Sequence, residues 1–274
     1  MKLIDLSLRR LLLSIVPLAL FAMANVEASQ SAVQVIGEAF ELNGTEVLYR
    51  ETHCGVEDKP ANEVVYQHRD GLLIARKSLD YSSGNISPSF VQHNIQADER
   101  ISVSLVQNEL AMSVTGAGSK TRENKYRVAA AADNPIVIDA GFDAFIRSNW
   151  DKLESGKTLG FQFPLVSRSR LVSLWVKPAT CSYDTASDQC FKLEPTNWFF
   201  RLLAAPIELG YDSNEMRLTR YRGLSNINDE NGNGMVVDIR YRYNNTPGLA
   251  CDITPVSSTG PAVNLNLLLD PYLS

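Results

Sequence analysis

The 274-residue chain carries 26 Lys and Arg against 31 Asp and Glu, a formal net charge of −5. That acidic balance excludes a general binder of nucleic acid or of anionic membrane surfaces. Past the first 28 residues no apolar run approaches the roughly 20 residues of a membrane-spanning helix, so no membrane span is expected.

The N-terminus comes first. Lys2, Arg9 and Arg10 precede the apolar stretch Leu11 to Ala22, and two small-x-small sites come next at Ala22-Met23-Ala24 and Val26-Glu27-Ala28. This order is that of a secretory signal peptide, and it is too short for a membrane span. Residues 1–28 are read as the leader and residues 29–274 as a single β-rich domain, periplasmic or secreted after cleavage. No cysteine directly succeeds either site, so a lipid-anchored N-terminus is not expected.

Strands dominate the rest of the chain. Val33 to Leu42 and Thr45 to Thr52 flank Asn43-Gly44, a hairpin signal. Glu63 to Gln67 and Leu72 to Ser78 flank Arg69-Asp70-Gly71, a second hairpin. Ser82 to Pro88 is a loop by its turn-forming residues. Ile101, Val103 and Leu105 alternate with serines, as in a half-buried strand. Thr115 to Lys120 is a turn, and Tyr126 to Ala130 and Ile136 to Ile138 are extended.

Phe142, Phe145, Ile146, Trp150 and Leu153 then recur at helical spacing. Asp139 is the expected N-cap, Asp143 and Arg147 sit four apart, and Gly156 ends the element. A shorter helix is expected from Trp198 to Ala204, capped by Thr196 or Asn197 and stopped by Pro206. Alternation returns at Leu159, Phe161 and Phe163, and at Val172, Leu174 and Val176. Ile207 to Tyr211, Met216 to Tyr221 and Val236 to Tyr243 are further strands. In the last, Val237, Ile239, Tyr241 and Tyr243 share one face and Asp238, Arg240 and Arg242 the other. Asn264 to Leu269 is a last strand or a packed extension. The sum is a mainly β protein: a large curved antiparallel sheet, half-barrel-like, with one or two packed helices.

Four cysteines, in an exported chain, suggest two disulfides. Three connectivities exist. The polar stretch between Cys181 and Cys190 favours joining those two, which leaves Cys54 with Cys251.

No catalytic or cofactor signature is complete, and no cofactor is expected. Asp229-x-Asn231-x-Asn233-Gly234 matches half of a calcium loop. Its ninth position is Val237 and its twelfth is Arg240, where a bidentate carboxylate is required. Asn and Gly also supply the positive φ of hairpin turns, so a hairpin is the expected structure and any calcium binding is weak. In Gly116 to Thr121, Ser119 separates Gly118 from Lys120, which breaks a phosphate-binding loop. There is no Gly-x-Ser-x-Gly elbow, and only His53, His68 and His93 are present as bases. Asp98-Glu99, or Asp139 with Asp143, are the carboxylates of a glycosidase-like alternative. Arg217, Arg220, Arg222, Arg240 and Arg242 cluster on two strands expected to pair. They either grip an anionic group or form a solvated face balanced by Asp212, Glu215 and Asp238.

Three stretches, Gly71 to Tyr81, Ile138 to Trp150, and Pro206 to Asp212 running on to Tyr221–Ile227, resemble those of an uncharacterised family of exported proteobacterial proteins. The order of strands with an inserted helix is also similar, at the level of fold, to the periplasmic lipoprotein-carrier superfamily. That resemblance implies a half-barrel sheet and a helix around an apolar cavity. The expected role is a non-enzymatic envelope protein that binds a lipid or other apolar small molecule. Phe142, Phe145, Ile146, Trp150, Phe161, Phe163, Leu174 and Tyr241 are its candidate cavity residues. The alternatives are a carboxylate-dependent exported hydrolase and a structural or interaction module; the sequence leaves oligomeric state open.

Overall fold

A computed structural model describes residues 32–56, 59–128, 134–185, 188–197, 206–229 and 232–243. Asn43, at φ 63°, reverses the chain between β1 (Ala32–Glu41) and β2 (Val47–Gly55), and the Gly44 amide donates to Glu41 at 2.9 Å. Gly71, at φ 87°, does the same between β3 (Glu63–His68) and β4 (Leu73–Asp80). The meander continues through β5 (Ser89–Asn94), β6 (Glu99–Val106), β7 (Glu109–Thr115) and β8 (Arg122–Arg127). Two helical pieces come next, α1 (Gly141–Ser148) and α2 (Trp150–Glu154). The chain then meanders back through β9 (Leu159–Leu165), the 3-10 turn Val166–Arg168, β10 (Arg170–Ala179) and β11 (Asp188–Pro195). The last strands are β12 (Ile207–Asp212), β13 (Arg217–Asn228) and β14 (Gly234–Tyr243).

All fourteen strands form one antiparallel sheet in the order β8-β7-β6-β5-β4-β3-β2-β1-β14-β13-β12-β11-β10-β9. Each strand pairs with its sequence neighbour except at the centre, where β1 meets β14. The sheet is barrel-like but not closed: β8 and β9 are its two edges. Bare edges invite unwanted pairing. The β9 edge is partly covered, since Gln162 exchanges strand-like bonds with the segment beginning at Pro135 (Val137 N to Gln162 O, 2.9 Å; Gln162 N to Pro135 O, 2.8 Å). The β8 edge is short and charged, and its Tyr126 hydroxyl donates to the Ser169 carbonyl across the seam.

Asp229 to Gly234 joins β13 to β14 as a hairpin, with Asn228 opposite Gly234. Asp229 Oδ1 accepts the Asn233 amide at 2.7 Å and Asp229 Oδ2 lies 3.3 Å from Asn233 Nδ2, so the turn itself occupies this carboxylate. Asn231 lies outside the described residues. Calcium is therefore expected to bind no tighter than about millimolar. Following Tm during a calcium titration checks this; a large stabilisation at micromolar calcium that Asp229→Ala abolishes is the opposing result.

The aromatic stripe Phe142 to Leu153 does face the sheet, but as two helices. Asn149 breaks the run: its side-chain Nδ2 donates to Phe145 O at 2.9 Å and its own amide to Ile146 O at 3.0 Å, in place of the α-helical pattern. Asp139 is not the N-cap. Ala140 occupies that position without a side-chain cap bond, and Asp139, at φ 44°, turns its carboxylate to Lys77 instead. The Asp143–Arg147 pair forms at 3.0 Å, and Gly156 ends the element at φ 90°. At the N-terminal end Gly141 is required: a Cβ there would lie 2.1 Å from the Ile86 carbonyl oxygen. The second expected helix, Trp198 to Ala204, lies outside the described residues, as do Ala130 and the tail Asn264 to Leu269.

Two apolar clusters make up the core. One joins β1–β7 to β13 and β14 around Tyr49, Tyr66, Leu110 and Ile239. The other packs α1 and α2 on β9–β12, with Phe145 on Phe161 (centroids 5.2 Å apart) and Trp150 edge-on to Phe191 (5.3 Å) and Tyr211 (5.8 Å).

Cys181 and Cys190 form a disulfide across the β10–β11 turn. Cys54 is buried and disulfide-bonded; Cys251, its expected partner, lies outside the described residues. Closing a loop of this length is worth about 2–3 kcal/mol. The double variant Cys181→Ser/Cys190→Ser is expected to lose that much in a urea melt, and an unchanged midpoint would contradict it.

Candidate functional site

The strand register builds an unusual row on the concave face. Tyr66 on β3, Glu51 on β2, Gly37 on β1 and Tyr241 on β14 stand directly opposite one another. Glycine at position 37 is what lets the row close. A Cβ there would lie 2.7 Å from Glu51 Cγ and 2.9 Å from a Tyr241 ring carbon, so acid and phenol meet over the bare backbone. The neighbouring row places His53 on β2, Val64 on β3, Lys77 on β4 and Gln92 on β5.

These rows bury charge. Glu51 is 4% exposed and Lys77 2%. Lys77 Nζ donates to both oxygens of Asp139, at 2.8 and 2.9 Å, and lies 5.2 Å from the Phe90 ring centre and 5.7 Å from that of Tyr66. The pair ties the entry of α1 to the middle of the sheet. Glu51 Oε1 is 3.1 Å from His53 Nε2, and the Tyr241 hydroxyl bonds to the same carboxylate. Burial opposes ionisation of Glu51. The His53 bond and charge, the Tyr241 hydroxyl and the Lys77 charge outweigh it and hold the carboxyl below its usual range. Burial, and then the charge of Glu51, push Tyr66 and Tyr241 well up. Tyr81 is pushed up to about 12 by burial and then by Asp139 and Asp143. The phenols therefore stay protonated: the Tyr241 hydroxyl donates to Glu51, and that of Tyr66 accepts from Asn226 Nδ2 at 3.2 Å.

Above this polar row lies a cavity of about 2470 Å³, bounded by both halves of the sheet and by α1. Of the residues expected to form it, Phe142, Phe163, Leu174 and Tyr241 line the cavity. Phe145, Ile146, Trp150 and Phe161 do not: they are buried in the helix–sheet cluster behind it. Sequence reasoning misses Glu51, Tyr66 and Lys77. The available signal is alternation, because Ala75, Lys77 and Leu79 share one face of β4, and a lysine between two buried apolar residues marks a buried cation.

Of the carboxylates read for a hydrolase, Asp139 and Asp143 both border the cavity described above, and Asp98 and Glu99 are engaged at the β5–β6 turn. Asp139 is held by Lys77, while Asp143 pairs with Arg147 and lies beside the Tyr211 hydroxyl. Asp98 sits in the β5–β6 turn, 3.6 Å from His93, and Glu99 accepts from Asn94 at 2.9 Å. Among the described residues no three His, Cys, Asp or Glu side chains gather as a metal site.

The arginine cluster on β13 and β14 lies mostly on the convex face and is internally paired. Arg220 grips Asp238 with two bonds, 2.7 and 2.5 Å, and stacks on Tyr183 at 3.9 Å. Arg240 stacks on Phe40 at 4.2 Å, and Arg242 and Arg50 share Glu38, each at 3.0 Å. Arg222 donates to Asn43 at 3.0 Å, while Arg217, at the cavity wall, pairs with Glu215 at 2.9 Å. Asp238 is fully buried rather than solvated. Burial opposes its ionisation, but Arg220 outweighs this and holds the carboxyl low.

No protein-family model and no curated protein matches the chain. Among solved structures it is similar to a beta-barrel-like protein of domain of unknown function DUF1849 from Brucella abortus. The two are 7% identical, with 78% of this chain and 95% of that chain covered and a TM-score of 0.38.

Proposed function

We propose that this is an exported, non-enzymatic envelope protein, a single domain over residues 29–274, that holds a lipid or other apolar chain inside its half-barrel. One observation carries the reading. The concave face bounds a half-open cavity of about 2470 Å³, with Phe142, Phe163, Leu171 and Leu174 on its wall. That exceeds the roughly 300–1,000 Å³ of an ordinary small-molecule pocket and suits a long, flexible chain. The protonated tyrosines of the floor present ring faces to such a chain while their hydroxyls bind within the protein. Export rests on the leader-like residues 1–28. The Cys181–Cys190 bond suits an oxidising compartment, and among the described residues no helix is long and apolar enough to cross a membrane.

Titration with N-phenyl-1-naphthylamine, an apolar fluorescent probe, tests the reading. The protein is expected to bind it and to release it on addition of oleate. Leu174→Trp, which fills space at the wall, is expected to weaken probe binding several-fold with Tm retained. Probe binding indifferent to Leu174→Trp and to oleate would remove the cavity as the site.

A further inference from the structure

The described arginines differ in their pairing. Those of the convex face, Arg50, Arg220, Arg240 and Arg242, each hold an acidic partner. Those at the seam between the two sheet edges do not. Arg122 on β8, Arg168 in the 3-10 turn and Arg170 at the start of β10 are exposed and form no ion pair with any described residue. The fold brings them together from distant parts of the chain. Tyr126 fastens β8 to Ser169, and Ser169, at φ 49°, turns the chain between Arg168 and Arg170.

All three line the cavity. Arg122 stands opposite Val114, which also lines it. Arg122 and Arg168 also share an open recess of about 680 Å³ with Asn124, Ser167 and Ser169. The acid bordering that recess, Glu123, lies 3.5 Å from Lys125. Arg122 and Arg168 in that recess, with Arg170 two residues further along the chain, leave positive charge that an anion neutralises. Their planar donor forks match phosphoryl and carboxylate oxygens. The polar floor of the cavity is already satisfied, Lys77 by Asp139 and Glu51 by His53 and Tyr241.

We propose that Arg122, Arg168 and Arg170 bind the anionic head group, phosphoryl or carboxylate, of an amphipathic ligand whose apolar chain lies in the cavity. This rests on the proposed apolar-chain cavity and adds the charge and the direction of the ligand: head at the seam between β8 and the β9–β10 turn, chain toward Tyr241.

Isothermal titration of the purified protein with four ligands tests it: oleoyl-lysophosphatidylglycerol, oleoyl-lysophosphatidylcholine, mono-oleoylglycerol and sodium phosphate. At low salt the anionic lipid is expected to bind about tenfold tighter than mono-oleoylglycerol, with the zwitterionic lipid between them. The preference is expected to shrink at high salt. Arg122→Gln/Arg168→Gln/Arg170→Gln is expected to erase it without changing mono-oleoylglycerol binding. Arg100→Gln, an exposed and unpaired arginine away from the cavity, is expected to keep it. Arg168→Gln/Arg170→Gln serves if the triple variant does not fold, and the wild-type ranking decides by itself. Equal binding of all three lipids would overturn the head-group site while leaving the cavity reading intact. Phosphate binding without lipid binding would make the seam a site for the free anion and overturn both readings, as would no binding at all.

Discussion

Trp150→Ala is expected to destabilise the protein by about 3–5 kcal/mol, the loss typical of a large aromatic removed from a packed core. Trp150 is 5% exposed and is held edge-on between Phe191 and Tyr211. Alanine leaves a hole bounded by two rings on the sheet and by Leu153 on α2. Because Trp150 stands behind the cavity and not on its wall, binding of N-phenyl-1-naphthylamine is expected to persist at temperatures well below the new Tm. Urea denaturation followed by tryptophan fluorescence and far-UV circular dichroism measures the first effect, and probe titration the second. A stability change under about 1 kcal/mol would mean that Trp150 is not a core anchor.

Asp139→Asn is the second large effect, expected at about 3 kcal/mol, because it strands the Lys77 ammonium at 2% exposure without its counter-charge. Asparagine is the right replacement. Residue 139 sits at φ 44°, in the left-handed region that asparagine tolerates, so the substitution removes charge without adding backbone strain. Lys77→Met/Asp139→Asn is expected to recover much of the loss, since it removes both charges while keeping volume. If the double variant is no more stable than Asp139→Asn alone, the pair is not what pins α1 to β4.

Much of the architecture was legible in local residue chemistry. Asn43-Gly44, Asp70-Gly71 and Asp229 to Gly234 mark their hairpins because only certain residues accept the turn dihedrals. The helical stripe was visible because one face is apolar throughout. Three strands were not visible: β5, β7 and β11. On β5 the inward residues are Phe90, Gln92 and Asn94, two of them polar because they border the polar interior. On β11 Phe191 and Leu193 face inward, but the polar loop before them and the short stretch hide the alternation. The break at Asn149 was also hidden, since a side chain competing for a backbone carbonyl leaves the apolar period intact.

The site was legible only in part. Aromatic residues at helical spacing identify a buried face but do not say whether packing or a ligand buries it. The structure divides them, with Phe142 on the cavity and Phe145, Ile146 and Trp150 in the core. Glu51 and Lys77 escaped because their partners come from other strands. Glu51 meets Tyr241 from the far end of the chain across Gly37, and sequence distance carries no trace of that.

The most direct test is the mass spectrum of an organic extract of the protein, purified without detergent from the envelope of the cell that makes it. The cavity reading predicts a stoichiometric acyl-chain compound bearing a phosphoryl or carboxylate head, depleted in the Leu174→Trp variant. A lipid-free extract, from protein that also binds neither N-phenyl-1-naphthylamine nor oleate, would contradict it.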